Sequence, residues 1–356
     1  MTSLLSSALR RSGLALALGV SFVACDTVTE STPITAAAPT LAEASALGDI
    51  VAAANPSGFE ADQGLLIRKN LSETRFELDL AWAYTDETGK PVREGSSIQT
   101  IKVSDDRAQV YATVDRPNSK GALVRVTRDG RDIIDITNNG MLVAPKGFDV
   151  AEEFGVTVVA DFGGKAIKVF SNTAVNGRLP LVFTITDLGG ERSVWDVVHD
   201  PTNDRLYVAG TDGVLLVYDD FAATGPQAPT RMATPAIDGT GISVNLHGID
   251  YDLASDMLVL TDVGIPADPT DGQIFTIMNA STASGLTEVV AQIGGPNSML
   301  GNPVDVVLSD GAAYVAEKSN DGVLWFNNIF SRTGSEDAAP GAVIAVTKTE
   351  SVDAIR

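Results

Sequence analysis

Apolar and polar positions along this chain come in blocks. In Val194–Tyr218, VWDVVHDPTNDRLYVAGTDGVLLVY, a short apolar run opens on Asp196, a polar turn covers Asp200–Arg205, and a second run covers Leu206–Ala209. A turn at Gly210–Gly213 then leads into a third run, Val214–Tyr218. Each run is short enough for a β-strand, and each break carries Gly, Asp, Asn or Pro, the residues that turns require. The runs are nearly continuous in apolar residues. That pattern predicts strands covered on both faces of their sheet.

The same plan recurs. It is readable in Thr100–Val126, in Gly147–Phe170 (GFDVAEEFGVTVVADFGGKAIKVF), in His247–Ile277 and in Pro303–Phe326 (PVDVVLSDGAAYVAEKSNDGVLWF). Aligned on Thr100, Asp149, Asp196, Asp250 and Asp305, the units lie 49, 47, 54 and 55 residues apart. Each predicts a fourth strand: Ile133–Ile136, Leu181–Ile185, a weaker one near Arg231–Thr234, Glu288–Ile293 and Val343–Val346. Four short strands per unit of about 40–50 residues is the period of a β-propeller blade. A β-sandwich also has many short strands, but it has no reason to repeat one pattern at one spacing.

The two ends complete the pattern. Val352-Asp353-Ala354-Ile355 matches Val304-Asp305-Val306-Val307, with Asp353 on period 48 residues after Asp305. Apolar runs at Asp49–Ala53, Gly64–Lys69 and Arg75–Ala83 lack a first strand of their own. The expectation is an all-β, six-bladed propeller over residues 47–356, its last blade closed by N-terminal strands plus the C-terminal strand, so that no sheet edge stays open between first and last blades.

Residues 1–24 read as a targeting segment: Arg10 and Arg11, then an apolar run of twelve residues, Gly13–Ala24, too short to span a bilayer as a helix. Phe22-Val23-Ala24-Cys25 resembles the processing box of bacterial lipoproteins, in which the cysteine is lipidated. Cys25 is the chain's single cysteine and has no partner for a disulfide; the other reading is an ordinary cleaved signal with an incidental cysteine. Residues 25–46, rich in Thr, Ser, Pro and Ala, read as a lipidated cysteine and a flexible tether. The expected location is the bacterial cell envelope, with the domain outside the cytoplasm.

Charge narrows the partners. Forty-six acidic against 25 basic residues give a formal charge of −21, and removing residues 1–24 takes away Arg10 and Arg11 and no acid. Such a field repels nucleic acid and offers no basic patch to anionic lipids, so membrane association must come from the lipid alone. The Gly-x-Ser-x-Gly elbow, the phosphate-binding loop and the His-Glu-x-x-His motif are missing. The histidines, His199 and His247, sit at opposite ends of inner strands and should not meet on a metal.

Recurring acids are the notable chemistry. Asp149, Asp196, Asp250, Asp305 and Asp353 open inner strands, with Thr100 breaking the series. Asp115, Asp161, Asp212, Asp262 and Glu317 follow second strands. The two sets are expected on one face, where oxygen clusters suit Ca2+ or another hard divalent cation; Asp196, Asp250, Asp305 and Asp149 are the candidate ligands. A carboxylate at a strand start can instead accept backbone N–H bonds and serve only the fold.

PVDVVLSDGAAYVAEKSNDGVLWF and VWDVVHDPTNDRLYVAGTDGVLLVY resemble units of the NHL and YVTN β-propeller repeat families over about residues 97–327. The resemblance implies architecture, since such propellers bind many things. Related gluconolactonase-type propellers hold one divalent cation with Glu, Asp and Asn; Asp196, Asp250, Asp305, Asn245 and Asn302 fall near the corresponding places. The leading expectation is a binding or scaffold module for an unidentified protein or small molecule. The alternative is a metal-dependent lactonase or hydrolase at the acidic mouth.

Overall fold

The computed structural model describes residues 50–54, 65–70, 73–77 and, apart from 105–107, 116–120, 128–132, 139, 266–267 and 347, residues 97–354. The targeting segment, Cys25 and the tether lie outside the described residues. None of the described helices is long and apolar enough to cross a membrane.

The described chain is an all-β β-propeller. Blade 1 comprises Ser97–Val103, Gln109–Asp115, Ala122–Thr127 and Ile133–Thr137. Blade 2 comprises Pro145–Ala151, Val156–Asp161, Ala166–Ser171 and Leu181–Ile185. Blade 3 comprises Val194–Asp200, Arg205–Gly210, Leu215–Asp219 and Arg231–Ile237. Blade 4 comprises Leu246–Asp252, Met257–Asp262, Gln273–Met278 and Ala291–Gly294. Blade 5 comprises Pro303–Ser309, Ala312–Glu317, Gly322–Phe326 and Ala342–Ala345. Within each blade successive strands pair antiparallel.

These residues give five complete blades, one fewer than the pattern predicts. The shortfall arises because the remaining strands come from distant parts of the chain. Thr349–Ala354, Ile50–Ala54, Leu65–Asn70 and Glu73–Glu77 form a further four-stranded sheet in that order. Ala52 stands opposite Val352, and Val51 opposite Asp353. The innermost strand of each sheet neighbours the next, from Ser97–Val103 around to Thr349–Ala354 and back.

Local chemistry explains the turns. Between first and second strands of blades 3, 4 and 5, Asp204, Asp256 and Asp310 adopt left-handed φ of 48°, 50° and 51°, which Asp tolerates better than most residues. After the third strands of the same blades come left-handed Asp220, Asn279 and Asn328, each followed by a single helical turn. The Asp204 and Asp256 carboxylates accept the N–H groups that open two of those turns.

Second strands are buried throughout: Met257–Asp262 and Ala312–Glu317 expose no residue appreciably. The core lies between blades. Tyr207 and Val217 of blade 3 pack with Leu258, Phe275 and Ile277 of blade 4. Val259 and Ile274 of blade 4 pack with Val315, Leu324 and Phe326 of blade 5.

Candidate functional site

The inner-strand aspartates stand at two heights, and none opens its strand. Asp196 and Asp305 are third residues of theirs. Asp149, Asp250 and Asp353 are fifth residues, nearer the far end. Around the ring the heights alternate. In two of the three late cases a glycine fills the third position, Gly147 before Asp149 and Gly248 before Asp250; before Asp353 it is Ser351.

Each carboxylate reaches the backbone of the following inner strand. Asp149 accepts the His199 N–H at 2.7 Å, Asp196 that of Ile249 at 3.3 Å, and Asp250 that of Leu308 at 2.7 Å. Asp305 accepts the Val352 N–H at 3.1 Å and the Ser351 hydroxyl at 2.5 Å; Asp353 accepts the Val103 N–H at 2.7 Å. Asp196, Asp250 and Asp305 also accept the N–H of the residue that follows each of them, at 2.8 Å. The aspartates are therefore clasps between blades.

Burial pushes the Asp305 carboxyl up to about 6. Burial, and then repulsion from Asp305, holds Asp196 well above the usual carboxylate range.

A lysine stands where a cation was expected. Lys102 Nζ lies 3.1 Å from Asp149 Oδ1. Burial alone would lower its pKa, but Asp149, Asp353, Asp250 and Asp196 outweigh that and hold the ammonium above the ordinary lysine range. Backbone N–H groups already sit on each of these carboxylates, and the Lys102 ammonium on that of Asp149. Among the described residues no three His, Cys, Asp or Glu side chains converge as metal ligands.

Acids after second strands behave as a separate set. Asp161 accepts the N–H groups of Val143 and Ala144, Asp262 those of Val244 and Asn245, and Glu317 those of Gly301 and Asn302. Each pair of donors immediately precedes the inner strand of the same blade. Burial pushes Glu317 up to about 7 and raises Asp262. Asp212 departs from the pattern, half-open to solvent and 3.6 Å from Arg192. Asp115 lies 4.0 Å from Lys146.

Where the inner strands end, the channel widens into a cavity of about 920 Å³. Lys102, Asp149, Asp250 and Asp353 line its depth; Val198, Tyr251 and Val307 supply apolar wall. Exposed Glu152 and Asp310 and half-buried Asp252 line it further out. Asp196 and Asp305 do not line it, so the four candidate ligands divide between two levels. His199 lines the wall, its Nδ1 2.9 Å from Glu153 and its Nε2 3.4 Å from Asp204. His247 lies at the opposite end of the inner strands, stacked on Trp195.

The sequence reading missed Lys102 and the residues around Trp195. One signal was present: the unit that lacks the opening aspartate carries lysine two residues after Thr100.

No protein-family profile matches the chain, and no curated protein matches it. Solved structures do. A chain of a nidogen/laminin complex superposes with a TM-score of 0.57 at 15% identity, covering 86% of this chain and 97% of that one. A putative 6-phosphogluconolactonase from Bacteroides fragilis gives 0.53 at 11%, covering 88% and 99%. The periplasmic gluconolactonase of Pseudomonas aeruginosa gives 0.54 at 10%, covering 86% and 98%. Likeness at such identities establishes the β-propeller fold and nothing finer.

Proposed function

We propose that this chain is a lipid-anchored, six-bladed propeller of the bacterial cell envelope that binds its ligand in the acidic cavity. The observation that carries the binding reading is that cavity: about 920 Å³, within the range of small-molecule sites, and lined by seven carboxylates against Lys102. A ligand bearing ammonium or guanidinium groups suits it. The pairing of Ala52 with Val352 supports closure of a sixth blade by both ends of the chain. The short apolar run before Cys25 supports the anchor.

Calorimetric titration of the full chain with spermidine tests the reading. Saturable binding that weakens with salt and drops at least several-fold in Glu152→Gln/Asp310→Asn supports it. Heats that do not saturate overturn it.

A hydrolase is the second reading. Two solved structures of similar fold are named for gluconolactonase activity. His199 on the cavity wall, held between Glu153 and Asp204, is a candidate general base. Hydrolysis of glucono-δ-lactone above the spontaneous rate, abolished in His199→Gln, would establish it.

A further inference from the structure

At the end of the channel away from the acidic cavity, the second residues of the inner strands include Lys146, Trp195, His247 and Glu350. The Trp195 and His247 rings stack with centroids 3.5 Å apart and planes 9° apart. Lys146 Nζ lies 4.9 Å from the centre of the Trp195 ring. Trp195 Nε1 is fixed by the Val304 carbonyl at 3.2 Å, so the stack cannot swing away without losing that bond. Lys318, which follows the second strand of blade 5, holds its ammonium 2.7 Å from Glu350.

Two buried polar atoms here have no partner. His247 is 94% buried, and its Nδ1 makes no hydrogen bond. Asn302 Oδ1, beside Lys318 through the bond from the Lys318 N–H to the Asn302 carbonyl, is likewise unpaired. Leaving a buried polar atom unpaired costs roughly 1–3 kcal/mol, and most such atoms have a partner. Burial first, then the charges of Lys146 and Lys318, hold the imidazole well below its ordinary value. Asp115 and Glu350 raise Lys146, but burial and Lys318 outweigh them. The charges that act on His247 are thus both cationic, in a chain of net charge −21.

We infer that Lys146, His247 and Lys318 form a binding site for a small oxyanion, a carboxylate or a phosphate, at the channel end opposite the acidic cavity. The lysines supply the charge and the unpaired imidazole nitrogen supplies a donor once protonated. The unpaired Asn302 oxygen accepts from a hydroxyl on the ligand, which favours hydroxylated anions. The ligand is opposite in sign to the one proposed for the cavity.

His247 reports on its own occupancy. In the full chain, the two histidine ring resonances are followed by NMR against pH in chloride, inorganic phosphate or glycolate at equal ionic strength, with His199→Gln for assignment. Phosphate or glycolate should move the His247 midpoint upward saturably by about one pH unit, a tenfold preference of the anion for the charged ring. His199 should not follow. The effect should be lost in Lys318→Met, a change at a partly exposed side chain, and in Lys146→Met. A response to phosphate alone points to a phosphorylated ligand, and one to glycolate alone to a carboxylate. A His247 midpoint equal in all three salts overturns the inference, as does a shift that survives both lysine variants.

Discussion

Gly147 makes room for Asp196: a β-carbon on Gly147 would lie 1.7 Å from Asp196 Oδ1. The relation repeats two blades on, where a β-carbon on Gly248 would lie 2.6 Å from Asp305 Cα. Glycine in one inner strand and aspartate in the next are therefore one packing unit at these two places. Gly147→Ala should displace the carboxylate from its N–H donors as well as crowd the strand. Overpacking alone costs about 1–3 kcal/mol, and loss of a hydrogen bond to a charged group adds about 1.5–3 kcal/mol. Urea denaturation should show a loss above about 3 kcal/mol; a midpoint within error of the parent refutes the pairing.

The clasps have backbone donors on their carboxylates. Asp305→Ala should destabilise the domain by at least about 2 kcal/mol, because it strands the Val352 N–H and the Ser351 hydroxyl. Calcium should leave the melting temperature of the parent and of the variant where they were. A calcium-dependent rise in the parent that Asp305→Ala abolishes would restore the metal-site reading.

Lys102 neutralises the late-position aspartates. Lys102→Met should cost more than the about 1 kcal/mol of an exposed ion pair and approach the about 3–5 kcal/mol of a buried one. Asp149→Asn in the Lys102→Met background should recover part of that loss by removing one of the repelling carboxylates. An equal loss with and without Asp149→Asn would mean that the lysine acts only through packing.

Stability should fall as pH rises from about 4 to about 7. Burial raises Asp305 from 3.8 to about 6 and Glu317 from 4.5 to about 7. A raised pKa means that the folded state binds the proton more tightly, so its contribution is full below the unfolded value and lost as pH passes the folded one. Asp196 and Asp262, raised too, act in the same direction. His247 opposes them: held low, it adds stability above about 6.5 that is lost as pH drops. With four carboxylates against one imidazole, the melting temperature should be a few degrees higher at pH 5 than at pH 7.5. Glu317→Gln should flatten the slope, and His247→Gln should steepen it.

Blade repeats were legible because their signal is spacing, which no single packing contact alters. The fourth strand Leu181–Ile185 falls at its expected residues, and the weak expectation near Arg231–Thr234 corresponds to Arg231–Ile237. Heights along the channel were not legible. Aligning units on their aspartates placed Asp149 beside Asp196, whereas Gly147 lies beside Asp196 and Asp149 two residues further along its strand. A two-residue offset keeps a side chain on the same face of the strand and leaves the period almost untouched while moving it to another level. Lys146, Trp195 and His247 were missed for the same reason: what unites them is a shared height in different blades, as another height unites Lys102 with Asp149.

The bond from the Val103 N–H to Asp353 also sets an order of events. Chains fold from the N-terminal side as they are made, at about 5–20 residues per second. Blade 1 is synthesised some 250 residues before its clasp partner. Until Thr349–Ala354 has been made, the inner strand of blade 1 and that of blade 5 each lack one neighbour. The growing chain is therefore an open arc with two sticky flanks, and whatever keeps those flanks apart from other copies must act until the final strand has been made.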